Sequence, residues 1–121
     1  MEKIFAPIEV PGSAPAIGPY SKGYQCGGFV ITSGQLGGSG SIAEQAETSC
    51  KAVKAVLEAA GASMEQVVKT TCYLSDISDF AAFNEVYGKY FTSKPARSCF
   101  AVKQLPGNGS LCEIEAVAYI G

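Results

Sequence analysis

The segment Leu111-Cys112-Glu113-Ile114-Glu115-Ala116-Val117-Ala118-Tyr119-Ile120 decides the fold. Successive side chains of a strand point to opposite faces, so alternate residues share a face. Cys112, Ile114, Ala116, Ala118 and Ile120 make one uniformly apolar face. Leu111, Glu113, Glu115, Val117 and Tyr119 make the other, where two carboxylates stand among large apolar groups. The apolar face belongs beneath a layer of helices, and the mixed face points away from them.

Working backwards, Pro106-Gly107-Asn108-Gly109 is a turn, and Arg97 to Lys103 reads as the preceding strand. Pro95 ends a helix in which Phe80, Phe83, Tyr87, Tyr90 and Phe91 recur at three- to four-residue spacing, a stripe expected in the core. Asp76 or Ser78 caps that helix. Val67 to Leu74 is a strand, after a short turn at Ser63-Met64-Glu65-Gln66. Ser41-Ile42-Ala43-Glu44 has the spacing of a capping box. From it Ile42, Ala46, Cys50, Val53, Leu57 and Ala60 follow one helical face, and Gly61 stops the helix. Glu47/Lys51 and Lys54/Glu58 are spaced to pair on its exposed side. Gly34 to Gly40 is nearly all glycine and serine and reads as a loop. Phe29 to Ser33 and Tyr20 to Cys26 flank Gly27-Gly28, a hairpin signal. Ala6 to Pro19, rich in proline, reads as an extended arm.

The resulting order is β-β-α-β-α-β-β. Strands joined across a helix run parallel, so the sheet is mixed and the class is α+β, with both helices on one face. The 121 residues make one domain, residues 1–121. The other sheet face would be a large exposed apolar patch, and self-association around a closed axis is the simplest way to cover it. Ligand pockets would then form between subunits, where sheet edges and loops converge.

Composition excludes several chemistries. The chain has no histidine, which removes Ser-His and Cys-His nucleophiles and every His-based metal site. Net charge is −2 without a run of Lys or Arg, which argues against a phosphate-contacting nucleic-acid surface. No apolar run approaches the roughly 20 residues of a membrane helix. The five cysteines, Cys26, Cys50, Cys72, Cys99 and Cys112, contain no C-x-x-C pair and follow no secretory signal. They read as reduced thiols of a cytoplasmic protein. Met1-Glu2-Lys3-Ile4-Phe5 lacks the Arg-rich look of an organelle address, although an organelle stays open.

Arg97 heads the apolar run Ser98-Cys99-Phe100-Ala101-Val102. A guanidinium buried there needs an anion, and its planar fork suits a carboxylate. That carboxylate is either Glu113 or Glu115 of the chain itself or part of a ligand, and the residues leave both open. Cys99 could be a nucleophile made acidic by Arg97, but with no base in sight a packed thiol is the default.

Five blocks then carry a resemblance. They are Gly18-Pro19-Tyr20-Ser21, Ile31-Thr32-Ser33-Gly34-Gln35, Val68-Lys69-Thr70-Thr71, Pro95-Ala96-Arg97-Ser98-Cys99 and Cys112-Glu113-Ile114-Glu115-Ala116. In this order the chain resembles the Rid (YjgF/YER057c/UK114) family of enamine/imine deaminases from Ala14 to Ile120. The resemblance implies a chorismate-mutase-like fold and a homotrimer with clefts between subunits. It implies hydrolysis of 2-aminoacrylate, 2-iminobutanoate and related imines to 2-oxo acids and ammonia, without cofactor or metal. Arg97 would clamp the substrate carboxylate and Glu113 would position the water, with Tyr20, Ser33 and Cys99 lining the pocket. Two loops, Leu36-Gly37-Gly38-Ser39-Gly40 and Thr92-Ser93-Lys94, are shorter than the family pattern, so side-chain preference does not carry over. Other relatives are known as translation-inhibiting ribonucleases, which the acidic charge opposes. A redox-activated holdase or small-ligand binder would use the thiols and the apolar face instead.

Overall fold

The computed structural model describes residues 4–121, so Met1, Glu2 and Lys3 of the N-terminal stretch weighed above lie outside it. The strands are β1 (Phe5–Pro7), β2 (Gly23–Cys26), β3 (Phe29–Thr32), β4 (Gln35–Leu36), β5 (Val67–Leu74), β6 (Ala96–Ala101) and β7 (Cys112–Tyr119). The helices are α1 (Ile42–Ala59), between β4 and β5, and α2 (Phe80–Tyr90), between β5 and β6. Short 3-10 turns, Met64–Gln66 and Ile77–Asp79, lead into β5 and α2. Asp76 caps the second of these, its carboxylate accepting from the Ser78 amide at 2.9 Å.

One sheet runs in the order β1-β2-β3-β7-β5-β6, and β4 also pairs with β7. Only β5 and β6 pair in parallel. β4 and β5 are both antiparallel to β7, as is β3, so the strands flanking α1 run the same way with β7 between them. This is the mixed α+β sheet that the alternation in β7 predicts. Cys112, Ile114, Ala116 and Ala118 are buried, and Glu113, Glu115 and Val117 are only half-covered.

Two short strands were not legible. Gln35 and Leu36, within the expected loop, pair with Ile114 and Glu113. Two residues flanked by glycines carry no period-two signal, and it is the free backbone edge of β7 that draws them in. Phe5–Pro7, at the start of the expected arm, is the edge strand β1, where a proline's missing N–H is tolerated.

α1 begins as expected. The Glu44 amide donates to Ser41 Oγ at 3.2 Å, and the Ser41 amide donates to Glu44 Oε1 at 2.9 Å. Gly61 takes φ 80°, the left-handed stop. Ala46, Cys50, Val53 and Leu57 are fully buried, and Ile42 and Ala60 sit at the rim of the core. Glu47 and Lys51 pair at 3.5 Å, but the Lys54–Glu58 pair does not form; among the described residues the first is the only ion pair.

Gln45 breaks the apolar pattern, yet it is 1% exposed. Its amide donates to the Gly40 and Gly109 carbonyls, both at 3.0 Å, and its Oε1 accepts from the Leu111 amide at 2.7 Å. It therefore stitches the loop before α1 to the turn before β7. Gln45→Ala is expected to destabilise the chain by about 2–4 kcal/mol, because buried backbone groups lose their partner. Chemical denaturation would measure this, and a loss under about 0.5 kcal/mol would show that the stitch is dispensable.

On α2, Phe83 and Tyr87 are buried and stack at 5.9 Å, and Tyr87 stacks on buried Phe91 at 4.4 Å. Phe80 departs from the expected core stripe. It is 38% exposed and stands over Arg97. On the helix-free face Phe29, Ile31, Phe100 and Tyr119 are each 43–51% exposed, the apolar patch expected from the alternation. No helix among the described residues is long and apolar enough to cross a membrane.

Candidate active site in two halves

The residues singled out from sequence fall into two groups. Tyr20, Ser33 and Glu113 line a cavity of about 550 Å³, together with the Ala14–Ile17 segment, Lys22 and the Gly34–Leu36 stretch. The Ser33 amide donates to the Lys22 carbonyl at 2.9 Å, and its hydroxyl donates to the Ser21 carbonyl. Ser33 thus ties the Tyr20-Ser21-Lys22 segment to the end of β3 and keeps lone pairs, not its proton, for anything in the cavity.

Glu113 rises from β7 into the same cavity, on the helix-free side of the sheet. Partial burial pushes its carboxyl above the ordinary range, and the negative charge of Glu115 adds to the effect. Glu115 is itself held by the Tyr73 hydroxyl, which donates to Oε1 at 2.8 Å. That bond, ahead of burial and the carboxylate's charge, pushes Tyr73 up to about 12.

Gly34 makes room for Glu113. A Cβ at this position would lie 2.6 Å from Glu113 Oε2 and 2.7 Å from its carboxyl carbon. Those atoms end a flexible side chain, so the carboxylate would swing away and the backbone would stay. Gly34→Ala is therefore expected to lower turnover at this site by about tenfold or more while melting within a few degrees of the parent. Equal turnover in both proteins would mean the Glu113 position does not matter.

Arg97 and Cys99 lie elsewhere. Arg97 Nη1 donates to Asn84 Oδ1 at 2.8 Å, and the guanidinium carbon sits 4.7 Å from the Tyr87 ring centroid and 5.4 Å from that of Phe80. Phe80, Asn84 and Tyr87 follow each other along one face of α2. Neither Glu113 nor Glu115 pairs with Arg97, and no described carboxylate lies within ion-pair distance of it. Of the two anions left open by the sequence, the internal one is thereby removed. Beside Arg97 a second cavity of about 410 Å³ opens against Tyr87, Gly88 and Phe91. Burial raises the Cys99 thiol despite the neighbouring Arg97, which leaves it protonated and a poor nucleophile. All five cysteines are free thiols.

Register explains the separation. Arg97 pairs with Thr70 and Cys99 with Cys72, and both partners are buried beneath the helices. Glu113 pairs with Tyr73, one residue out of phase, and so points to the opposite face. β5 stands between β6 and β7. Within one chain the guanidinium and the Glu113 carboxylate therefore lie on opposite faces of the sheet. Among the described residues no cluster of Cys, Asp and Glu could hold a metal ion.

The family described as endoribonuclease L-PSP matches residues 11–120. The chain belongs to this family. A RutC family protein of Pyrococcus abyssi is 46% identical, over 85% of this chain and 87% of its own. A 2-iminobutanoate/2-iminopropanoate deaminase of Salmonella typhimurium is 43% identical over 98% of each chain. Among solved structures, Escherichia coli TdcF with bound serine superposes with a TM-score of 0.89 at 37% identity, covering 96% of this chain and 99% of that one. The L-PSP family fold is thus the fold built above from alternation and capping.

Sequence reasoning about this family member missed Asn84 and did not see that Phe80 and Tyr87 surround Arg97. The signal was present in the spacing 80, 84, 87, but the two rings read as core and the polar residue between them was passed over. In the sequence Gly34 reads as part of a loop, and its closeness to Glu113 is visible only once β4 is laid against β7.

Proposed function

We propose that the chain hydrolyses reactive 2-imino acids, with 2-aminoacrylate and 2-iminobutanoate as the substrate class, in a closed homotrimer. Arg97 of one copy faces Tyr20, Ser33 and Glu113 of the next. The observation that carries this reading is the guanidinium without an anion, on the opposite face from a cavity that contains the carboxylate. The exposed apolar sheet face supports association, and the deaminase names of close relatives support the chemistry. A small amino acid bound to TdcF is consistent with a site for a carboxylate-bearing ligand.

In this mechanism the Arg97 fork holds the substrate carboxylate, and Glu113 orients a water against C2 of the imine. The water attacks C2 as its proton passes by way of the Glu113 carboxylate to the imine nitrogen, giving a 2-amino-2-hydroxy acid. The hydroxyl proton then passes by the same carboxylate to the nitrogen, the C=O bond forms as the C–N bond breaks, and ammonia and the 2-oxo acid leave. An imine carbon is already electrophilic, so placement and one proton carrier suffice. A carboxyl raised by burial is better matched to carrying a proton near neutral pH than an exposed one.

The test generates 2-aminoacrylate in situ with a serine dehydratase and follows pyruvate release, which the chain should accelerate. No acceleration over buffer would refute the reading. Mixing separately inactive Arg97→Ala and Glu113→Ala proteins after unfolding and reassembly tests the shared site. If each site takes Arg97 and Glu113 from different copies, random mixing restores about a quarter of wild-type activity. No recovery would place both residues in one chain's site.

A further inference from the structure

Beneath the Arg97 fork lies a ring whose hydroxyl the packing alone does not require. Tyr87 is 9% exposed, with Phe91 stacked on it at 4.4 Å and Phe83 further off at 5.9 Å, a place that phenylalanine would fill. Its hydroxyl instead lies 2.7 Å from that of Thr70, which is 1% exposed. Thr70 is the residue of β5 directly paired with Arg97. The strand position beside the arginine therefore pins the ring that lies under the arginine's guanidinium, 4.7 Å from its centroid. A flat cation resting on a ring face is held with its plane and its N–H edge in a defined direction. Asn84 holds one nitrogen of the fork and Phe80 lies 5.4 Å away, but one hydrogen bond leaves a long side chain at a sheet edge free to pivot about it.

We propose that Tyr87, locked by Thr70, is the positioning residue for Arg97: its ring is the platform that presents the guanidinium edge to a small carboxylate. The kinetic consequence rests on the deaminase reading above, whereas the platform does not. Because the carboxylate is held alike in the ground and transition states, a loosened fork raises KM and leaves kcat nearly unchanged.

The experiment replaces Tyr87 with phenylalanine and then with ring-fluorinated phenylalanines up to the pentafluoro form. Shape is kept while the ring's attraction for a cation falls stepwise. KM for 2-iminopropanoate is expected to climb along the series, by about tenfold at its end, with kcat within about twofold. The Arg97 Nε–H signal in the NMR spectrum of the ligand-free protein, displaced by the ring beneath it, should return towards its ordinary position. Thr70→Val should reproduce the small KM rise of Tyr87→Phe. A flat KM across the series would overturn the proposal, as would KM, kcat and melting temperature changing together. If the wild type accelerates no imine hydrolysis, the deaminase reading fails on its own. The dissociation constant for pyruvate and the Arg97 signal then decide the platform, and an unmoved Arg97 signal refutes it.

Discussion

Arg97→Ala is expected to lower kcat/KM for 2-iminopropanoate by about a hundredfold to a thousandfold, on about 3–4 kcal/mol for a two-pronged, charge-assisted carboxylate contact. Arg97→Lys should recover only part of it, because an ammonium keeps the charge and loses the fork. The same alanine variant is expected to fold well. Arg97 takes part in no ion pair among the described residues, so its removal strands no buried carboxylate. What goes is one bond to Asn84 and the contact with the Tyr87 and Phe80 rings, together about 1–2 kcal/mol. Steady-state kinetics and thermal melting on one preparation separate the two effects. Wild-type kcat/KM in Arg97→Ala would remove the anion-binding role altogether.

Glu113→Gln is expected to cut kcat by about a hundredfold to ten-thousandfold, since an amide cannot take the water's proton. It should at the same time make the protein more stable at neutral pH. The folded chain raises this carboxyl, through burial first and the charge of Glu115 second. Ionisation is therefore harder in the folded than in the unfolded state. The residue's relative contribution to stability is full at pH values below its unfolded pKa and is lost as pH rises through the folded one. Glutamine avoids that loss. The gain in melting temperature over wild type should be clear at pH 7 and fade by about pH 3, where wild-type Glu113 is neutral in both states. The acid limb of the wild-type kcat profile should likewise lie above the range of an exposed glutamate. An amide variant that is less stable than wild type at pH 7 would show that the carboxylate is structural and not held for chemistry.

Most of the scaffold was legible in the residues because it is written in local periods. The alternation from Leu111 to Ile120 assigns one face to the helices, and Cys112, Ile114, Ala116 and Ala118 are buried there. The Ser41–Glu44 spacing sets the start of α1, and Gly61 its end. Where the period is short or absent, legibility stops. β1 and β4 exist because neighbouring strands leave backbone groups to be paired, which no property of Phe5–Pro7 or Gln35–Leu36 announces. Gln45 resembles a solvated helix residue until the two loops it bridges are brought to it.

The chain by itself determined the α+β class, the helix-free apolar face, the L-PSP family likeness and the residue types of the site: an arginine that needs an anion and a carboxylate on the bare face of the last strand. Only the tertiary structure decided that these two do not meet within one chain. That outcome depends on the pairing of β5 with β6 and with β7, which sets Arg97 beside Thr70 and Glu113 beside Tyr73. Side chains alternate with a period of two, so a one-residue difference in register between adjacent pairs places the two groups on opposite sides of the sheet. Register is a long-range property, set by which strands lie side by side, and no local stretch of sequence contains it.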